Sequence, residues 1–262
     1  MVLRGADWRY VYDKRTGIFS EMVYHNQNLL AKPMEYNIWR APTDKDRNIK
    51  KQWIRAGYDR TVSRAYETKI HCVGQKADGA GQELNSAGQK LNGAGQMNEE
   101  LPAGTVVLES RLSLSAVYLQ RILNIQATWT IMPDGGIDVR LDVTRTPGFP
   151  FLPRFGLRLF LPKSMTAVTY CGIGPNESYA DKRQSGWHGR FGTSVQALHE
   201  DYIRPQENGA HDDCDYVIVE NDSLSFAVAA VSAIAGKSAV QKDTFSFQIS
   251  EYIQEELTAK AH

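Results

Sequence analysis

Ile125-Gln126-Ala127-Thr128-Trp129-Thr130-Ile131, the turn Pro133-Asp134-Gly135-Gly136, and Ile137-Asp138-Val139-Arg140-Leu141-Asp142-Val143 together decide the fold class. Ile125, Ala127, Trp129 and Ile131 alternate with Gln126, Thr128 and Thr130, and Ile137, Val139, Leu141 and Val143 alternate with Asp138, Arg140 and Asp142. Successive side chains of a strand point to opposite faces, so a period of two puts one set toward a core and the other toward water. Glycines at the reversal supply the positive φ that a tight turn needs, and the whole reads as a β-hairpin.

Outward from this hairpin, further strand candidates are Trp8–Tyr12, Phe19–Tyr24, Tyr66–Val73, Thr105–Ala116, Arg154–Leu161, Ala167–Cys171, Tyr216–Glu220, Ser225–Val231 and Thr244–Ser250. Strands this dense imply packed antiparallel sheets, an all-β class, and we expect residues 1–262 to form a single β-sandwich domain. Helix signals are few. Ile49, Trp53, Ile54 and Ala56 form a short apolar face after Asn48, ended by Gly57, and Gln254–Ala261 offers another turn or two. Gly-Gln recurs at 74–75, 81–82, 88–89 and 95–96. Each repeat holds at most one leucine beside a glycine, too little for a coiled-coil seam, and residues 74–101 are expected to form a flexible polar loop between paired strands.

Thirty Lys plus Arg balance thirty Asp plus Glu, so no net charge draws the chain to nucleic acid or an anionic membrane, and neither is an expected partner. Cys72, Cys171 and Cys214 are odd in number and far apart, which speaks against a disulfide framework and for a reducing, cytoplasmic setting. Arg4, Asp7 and Arg9 interrupt the first residues, leaving no signal-peptide core there.

Polar turns carry the candidate chemistry. Arg40-Ala41-Pro42-Thr43-Asp44-Lys45-Asp46 follows the strand-like Tyr36-Asn37-Ile38-Trp39. It reads either as a sugar-facing or cation-binding rim or as a capped turn held by an Arg–Asp pair. Asp44 and Asp46 have the spacing of calcium-loop ligands, but the loop's glycine and distal glutamate are missing, and the capped turn is favoured. Gly172-Ile173-Gly174-Pro175-Asn176-Glu177-Ser178-Tyr179-Ala180-Asp181-Lys182-Arg183 lacks the third glycine of a dinucleotide loop, and Pro175 removes a backbone donor. Asn176 and Glu177 are candidates for sugar hydroxyls, or members of an internally bonded corner. Trp187 and His188 offer a stacking platform, or cover the edge of the core. Arg204-Pro205-Gln206-Glu207-Asn208-Gly209 is a turn by its Asn-Gly pair. His211-Asp212-Asp213-Cys214-Asp215 gathers nitrogen, oxygen and sulfur donors, yet no second ligand pair complements it, so it reads as a solvated acidic turn and no metal centre is expected. Carboxylates for glycosidic chemistry must be paired in space, and a sequence does not pair them.

Taken in order, these pieces resemble the C-terminal, small-chain domain of lactose-hydrolysing bacterial β-galactosidases of glycoside hydrolase family two. The resemblance rests on Trp8 to Gly17 with Phe19-Ser20-Glu21-Met22, the Arg40–Asp46 turn, Trp53 to Tyr58, Gly172 to Arg183, Tyr202 to Gly209, and Phe245-Ser246-Phe247-Gln248-Ile249-Ser250-Glu251-Tyr252. It implies a large antiparallel supersandwich like that of galactose mutarotases. It also implies that both catalytic glutamates lie in a separate (β/α)₈ barrel, in the same polypeptide or a companion subunit, so no catalytic residue is expected in this chain. The domain's implied role is to close one wall of a pocket for terminal β-galactosides and to support assembly. Arg40, Asp44, Asp46 and Asn48 match a family turn near the substrate entrance. By the same comparison the chain ends in mid-domain at His262, before the family's sugar-contacting tryptophan. No cofactor is expected in the chain, whereas the complete enzyme would take Mg²⁺ and Na⁺. The alternative is a free-standing carbohydrate-binding or mutarotase-like protein, in which His188 or His211 would join Glu177 or Glu207 for proton transfer at the anomeric centre.

Overall fold

The computed structural model describes residues 1–73, 101–179, 181–230 and 243–260. The Gly-Gln repeat expected as a loop over 74–101 lies outside the described residues except for Leu101. Strands dominate, every pairing among the described residues is antiparallel, and the fold is all-β as the alternation requires. Contacts divide the chain into two compact units, Met1–Ile38 with Trp53–Phe160, and Trp39–Gln52 with Leu161–His262.

In the first unit, β1 (Val2–Arg4), β2 (Trp8–Asp13), β3 (Ile18–Tyr24) and β4 (Gln27–Asn28) form one four-stranded sheet in chain order. β5 (Lys32–Asn37) pairs with a later strand, Gly156–Phe160. β6 (Thr61–Cys72), β7 (Val106–Ala116), β8 (Arg121–Ile131) and β9 (Ile137–Arg145) form a second four-stranded meander, and Gly156–Phe160 is β10. The two four-stranded sheets meet through aromatic side chains. Phe19 of β3 stands edge-on to Trp129 of β8 with ring centroids 5.2 Å apart. Tyr12 Oη and Ser110 Oγ share a hydrogen bond of 2.7 Å, and Tyr10 Oη donates to Gly135 O at 2.8 Å. Each large apolar side chain buried this way contributes about 1.5–3 kcal/mol, which is why Trp8, Tyr10 and Tyr12 of β2 all face inward.

The register confirms the predicted hairpin, Ile131 opposite Ile137 and Ile125 opposite Val143. Its two strands are not equally buried. Ile125, Ala127, Trp129 and Ile131 are in the core, whereas Val139 remains 43% exposed. β9 is the last strand of its sheet, so its apolar face receives less cover than that of β8. The predicted short helix is present as α1 (Ile49–Arg55), and Gly57 beyond it has φ +77°, the left-handed conformation that ends helices. Trp53 is fully buried, and its indole N–H donates to Phe151 O at 2.9 Å.

In the second unit the four-stranded sheet has the order β12-β11-β14-β15, from β11 (Ala167–Gly174), β12 (Trp187–Ser194), β14 (Tyr216–Glu220) and β15 (Ser225–Ala229). β13 (Ala210–Cys214) pairs with β16 (Phe245–Gln248), and α2 (Gln254–Lys260) follows. The acidic segment 211–215, expected as a solvated turn, is largely β13: His211 and Cys214 are buried, and Asp213 takes φ +51° where the pairing with β16 shifts register. No described helix is long and apolar enough to cross a membrane.

Candidate functional site

The second unit contains all the turns that carry candidate site residues. The chain leaves β11 at Gly174 and turns through Pro175 and Asn176, so that Glu177 faces inward and is only 7% exposed. One carboxylate oxygen, Oε2, accepts the Gly209 N–H at 2.9 Å, while Oε1 accepts from Lys182 Nζ and from Tyr202 Oη. Burial alone would raise the Glu177 pKa, but the bonds from Lys182, Tyr202 and Gly209 outweigh it and hold the carboxyl below its ordinary value. The same bond raises the Lys182 pKa, with Tyr202 adding to the effect. Gly209 has φ +68°, and a Cβ there would lie 2.2 Å from Leu198 O, so this donor position admits glycine alone. Ser178 ties the same loop to β13: its N–H donates to Ala210 O at 2.8 Å and its Oγ accepts from Asp212 N at 2.7 Å.

The Arg40–Asp46 segment is a capped turn. Asp46 is 6% exposed and accepts from Thr43 N at 2.8 Å, Thr43 Oγ1 at 3.0 Å and Arg40 Nη2 at 2.9 Å. Three neighbours fasten it. Ala41 N donates to Gln254 Oε1 of α2 at 2.7 Å, Ala41 O accepts from Glu207 N at 3.3 Å, and Asp44 N donates to Gln206 Oε1 at 3.2 Å. Lys45 Nζ pairs with Asp181 of the loop that contains Glu177. Arg40 and Asp46 are therefore bound to each other, while the Asp44 and Asn48 side chains are exposed. The turns at 40–46, 176–182 and 202–209 form one hydrogen-bonded cluster.

Trp187 and His188 belong to β12, opposite Gly174 and Ile173 of β11. Trp187 is 62% exposed and lies edge-on to Phe191, with centroids 5.7 Å apart. Asn176 Nδ2 donates to Ser185 O at 3.4 Å. His188 Nε2 lies 3.6 Å from Asp215 Oδ2, and Cys171 Sγ donates to that same oxygen at 3.4 Å. His211 points elsewhere: its Nδ1 bonds Ile173 O at 3.0 Å and its ring stacks on Phe247. Burial lowers the His211 pKa, keeping the ring neutral. Burial also pushes the Cys214 thiol up to about 12, with Asp212, Asp213 and Asp215 adding to the shift.

A buried, multiply bonded Glu177 is a fixed anion with no proton to lend at neutral pH, and an inward-bonded His211 does not aim at a sugar ring. In the sequence Lys182, Tyr202 and Gly209 stand only as members of turns, and their convergence on Glu177 is missed there. The signal available was Gly209, since an Asn-Gly pair marks a backbone held at positive φ. The grips of Gln206 and Gln254 on the Arg40 turn are missed in the same way.

Antiparallel sheets carrying polar loops that are bonded to one another define an all-β sandwich protein with a structural, carboxylate-centred corner. Residues 4–262 match the family described as the β-galactosidase small chain, and the chain belongs to that family. The chain is 34% identical over 260 residues to a β-galactosidase of Actinobacillus pleuropneumoniae, covering 99% of this chain and 22% of that protein. It is 30% identical over 261 residues to a β-galactosidase of Staphylococcus xylosus, covering 98% of this chain and 22% of that protein. With a β-galactosidase of Vibrio cholerae the identity is 24% over 273 residues, covering 99% and 22% respectively. The chain thus spans about a fifth of the length of the curated relatives it matches.

Proposed function

We propose that the chain serves a β-galactosidase that hydrolyses terminal β-D-galactosides such as lactose, as a non-catalytic part that walls the active-site pocket and supports assembly. The observation that carries this reading is the family match across 4–262. The bonded corner supports it in physical terms. Glu177, a buried carboxylate of the loops, is committed to Lys182, Tyr202 and Gly209, which suits a rigid support better than an acid or a nucleophile. Retaining hydrolysis needs two carboxyls about 5–5.5 Å apart, and on this reading a companion catalytic barrel supplies them. Within this proposal the two units are parts of one supersandwich domain. The exposed Asp44 and Asn48 lie toward the substrate entrance, on a turn that Arg40 and Asp46 keep in shape. Asn176, Trp187 and His188 remain candidate sugar contacts.

Co-expression with the A. pleuropneumoniae β-galactosidase from which the matching fifth has been deleted tests the assignment, in a host lacking its own enzyme. Hydrolysis of an aryl β-galactoside is expected from the pair and from neither part alone. Turnover that co-purifies with the chain by itself and disappears when Asp44 and Asp46 are both changed to Asn would overturn it.

A further inference from the structure

Cys171, His188 and Asp215 are scattered in sequence and adjacent in space. Cys171 is on β11, His188 is on β12 opposite Ile173, and Asp215 is the residue between β13 and β14. Because directly opposed residues of an antiparallel pair share a face, and so do residues two apart on one strand, Cys171 and His188 emerge on the same side of the sheet. Asp215 is brought to them by its backbone, whose N–H donates to Cys171 O at 2.8 Å. Asp215 Oδ2 then lies 3.4 Å from Cys171 Sγ and 3.6 Å from His188 Nε2, and the three donor atoms all fall within 4.8 Å of one another.

We propose that these three side chains form a binding site for a thiophilic divalent cation of the Zn²⁺ class. Metal–ligand bonds of roughly 2.0–2.3 Å in tetrahedral array put neighbouring donors roughly 3.3–3.8 Å apart, a range that already holds the two spacings from Asp215 Oδ2, 3.4 Å to Cys171 Sγ and 3.6 Å to His188 Nε2. One sulfur, one imidazole nitrogen and one carboxylate oxygen suit Zn²⁺ and disfavour Mg²⁺ and Ca²⁺, which take oxygen ligands. The Asp215 side chain is 15% exposed and the His188 side chain 46%, which anchors one ligand inside the fold and leaves a side open for water as the fourth. On binding, the Cys171 S–H bond breaks, its proton passes to solvent, and the thiolate pair forms the bond to the metal. His188 contributes its neutral Nε2 lone pair and Asp215 an ionised oxygen. The donors come from three separate stretches of chain, the arrangement that the contiguous 211–215 cluster lacked.

The test uses the full 262-residue chain with the exposed Cys72 changed to Ser, stripped with a chelator and titrated with Co²⁺ and then Zn²⁺. Expected are a sulfur-to-cobalt charge-transfer band in the near ultraviolet, saturation at one equivalent, and displacement of Co²⁺ by Zn²⁺. Cys171→Ser should abolish the band. His188→Gln and Asp215→Asn should each weaken Zn²⁺ binding by more than the roughly 10–100-fold typical of groups one shell further out. His188 is exposed, so its variant keeps the fold and its result reads the metal directly. No thiolate band in the Cys72→Ser chain, a band that survives Cys171→Ser, or Zn²⁺ affinity unchanged in the His188 and Asp215 variants would each overturn the proposal.

Discussion

Replacing Glu177 by Gln removes one charge from the corner and almost no volume. The amide will turn its oxygen to Gly209 N, because that backbone donor is buried and has the stricter geometry at 2.9 Å. Its NH₂ group then faces two donors, Lys182 Nζ and Tyr202 Oη. Tyr202 can rotate its hydroxyl and accept, whereas Lys182 has no acceptor and must swing into water. Hydrogen bonds to a charged group contribute about 1.5–3 kcal/mol, and a near-neutral replacement returns about 1 kcal/mol. The Lys182 side chain is 42% exposed, so its loss is discounted to at most about 1 kcal/mol. The expected cost at pH 7 is about 2 kcal/mol, or a fall in Tm of about 4–8 °C for a chain of this size. Glu177→Ala also orphans the Gly209 N–H and should cost about 3–5 kcal/mol. Urea denaturation of the chain and both variants measures these values. The folded-state pKa of Glu177 is depressed, so its contribution is fully present above the unfolded value near 4.3 and is lost as pH falls through the folded value. The gap in stability between the parent chain and the Glu177→Gln variant should accordingly narrow in acid below that point. A glutamine variant within about 0.5 kcal/mol of the parent at pH 7, or a gap that widens in acid, would refute the reasoning.

Gly209→Ala should cost about 2–4 kcal/mol, since it adds a clash with Leu198 O to a left-handed φ, whereas Gly148→Ala, at φ +89° with nothing within 4 Å, should cost only about 1 kcal/mol. Equal losses in paired urea melts would show that the close approach at Gly209 does not matter. His211, whose folded pKa is lowered by burial, binds its proton in the unfolded chain first, so stability should fall as pH drops below about 6.5, by at most about 1.4 kcal/mol per pH unit. Ile173 O, Glu177 and Asp212 oppose that shift, and His211→Gln should flatten this part of the profile in melts between neutral and mildly acid pH.

The fold is most legible where apolar and polar residues alternate without interruption. Alternation locates the 125–143 hairpin, because Ile, Ala, Trp, Val and Leu recur at every second place, and the short continuous apolar run Tyr216-Val217-Ile218-Val219 marks Tyr216–Glu220 with its observed bounds. β12 is hidden because Gly189 and Gly192 occupy places where a strand would ordinarily show a side chain. β13 is hidden because Asp212 and Asp213 imitate a turn, and the register shift there puts His211 and Cys214 both inside despite their odd spacing. At the candidate site, the Arg40–Asp46 pairing is legible because it is local and closed by Thr43, whose N–H and hydroxyl both donate to Asp46. Glu177's partners are not, since Lys182, Tyr202 and Gly209 reach it only after the strands have brought distant turns together.

The outer strand β9 has a further consequence for behaviour in solution. Asp138, Arg140 and Asp142 stand at alternate positions along it, with Arg140 and Asp142 paired to each other on the exposed surface. A strand at the rim of a sheet offers unpaired amides and carbonyls to any second strand that arrives. A newcomer in register would have to bring its own side chains against this row of alternating charges and strip their water. With β9 at the edge of its sheet among the described residues, the row acts as a gatekeeper that makes a half-covered apolar strand a poor template for fibril growth.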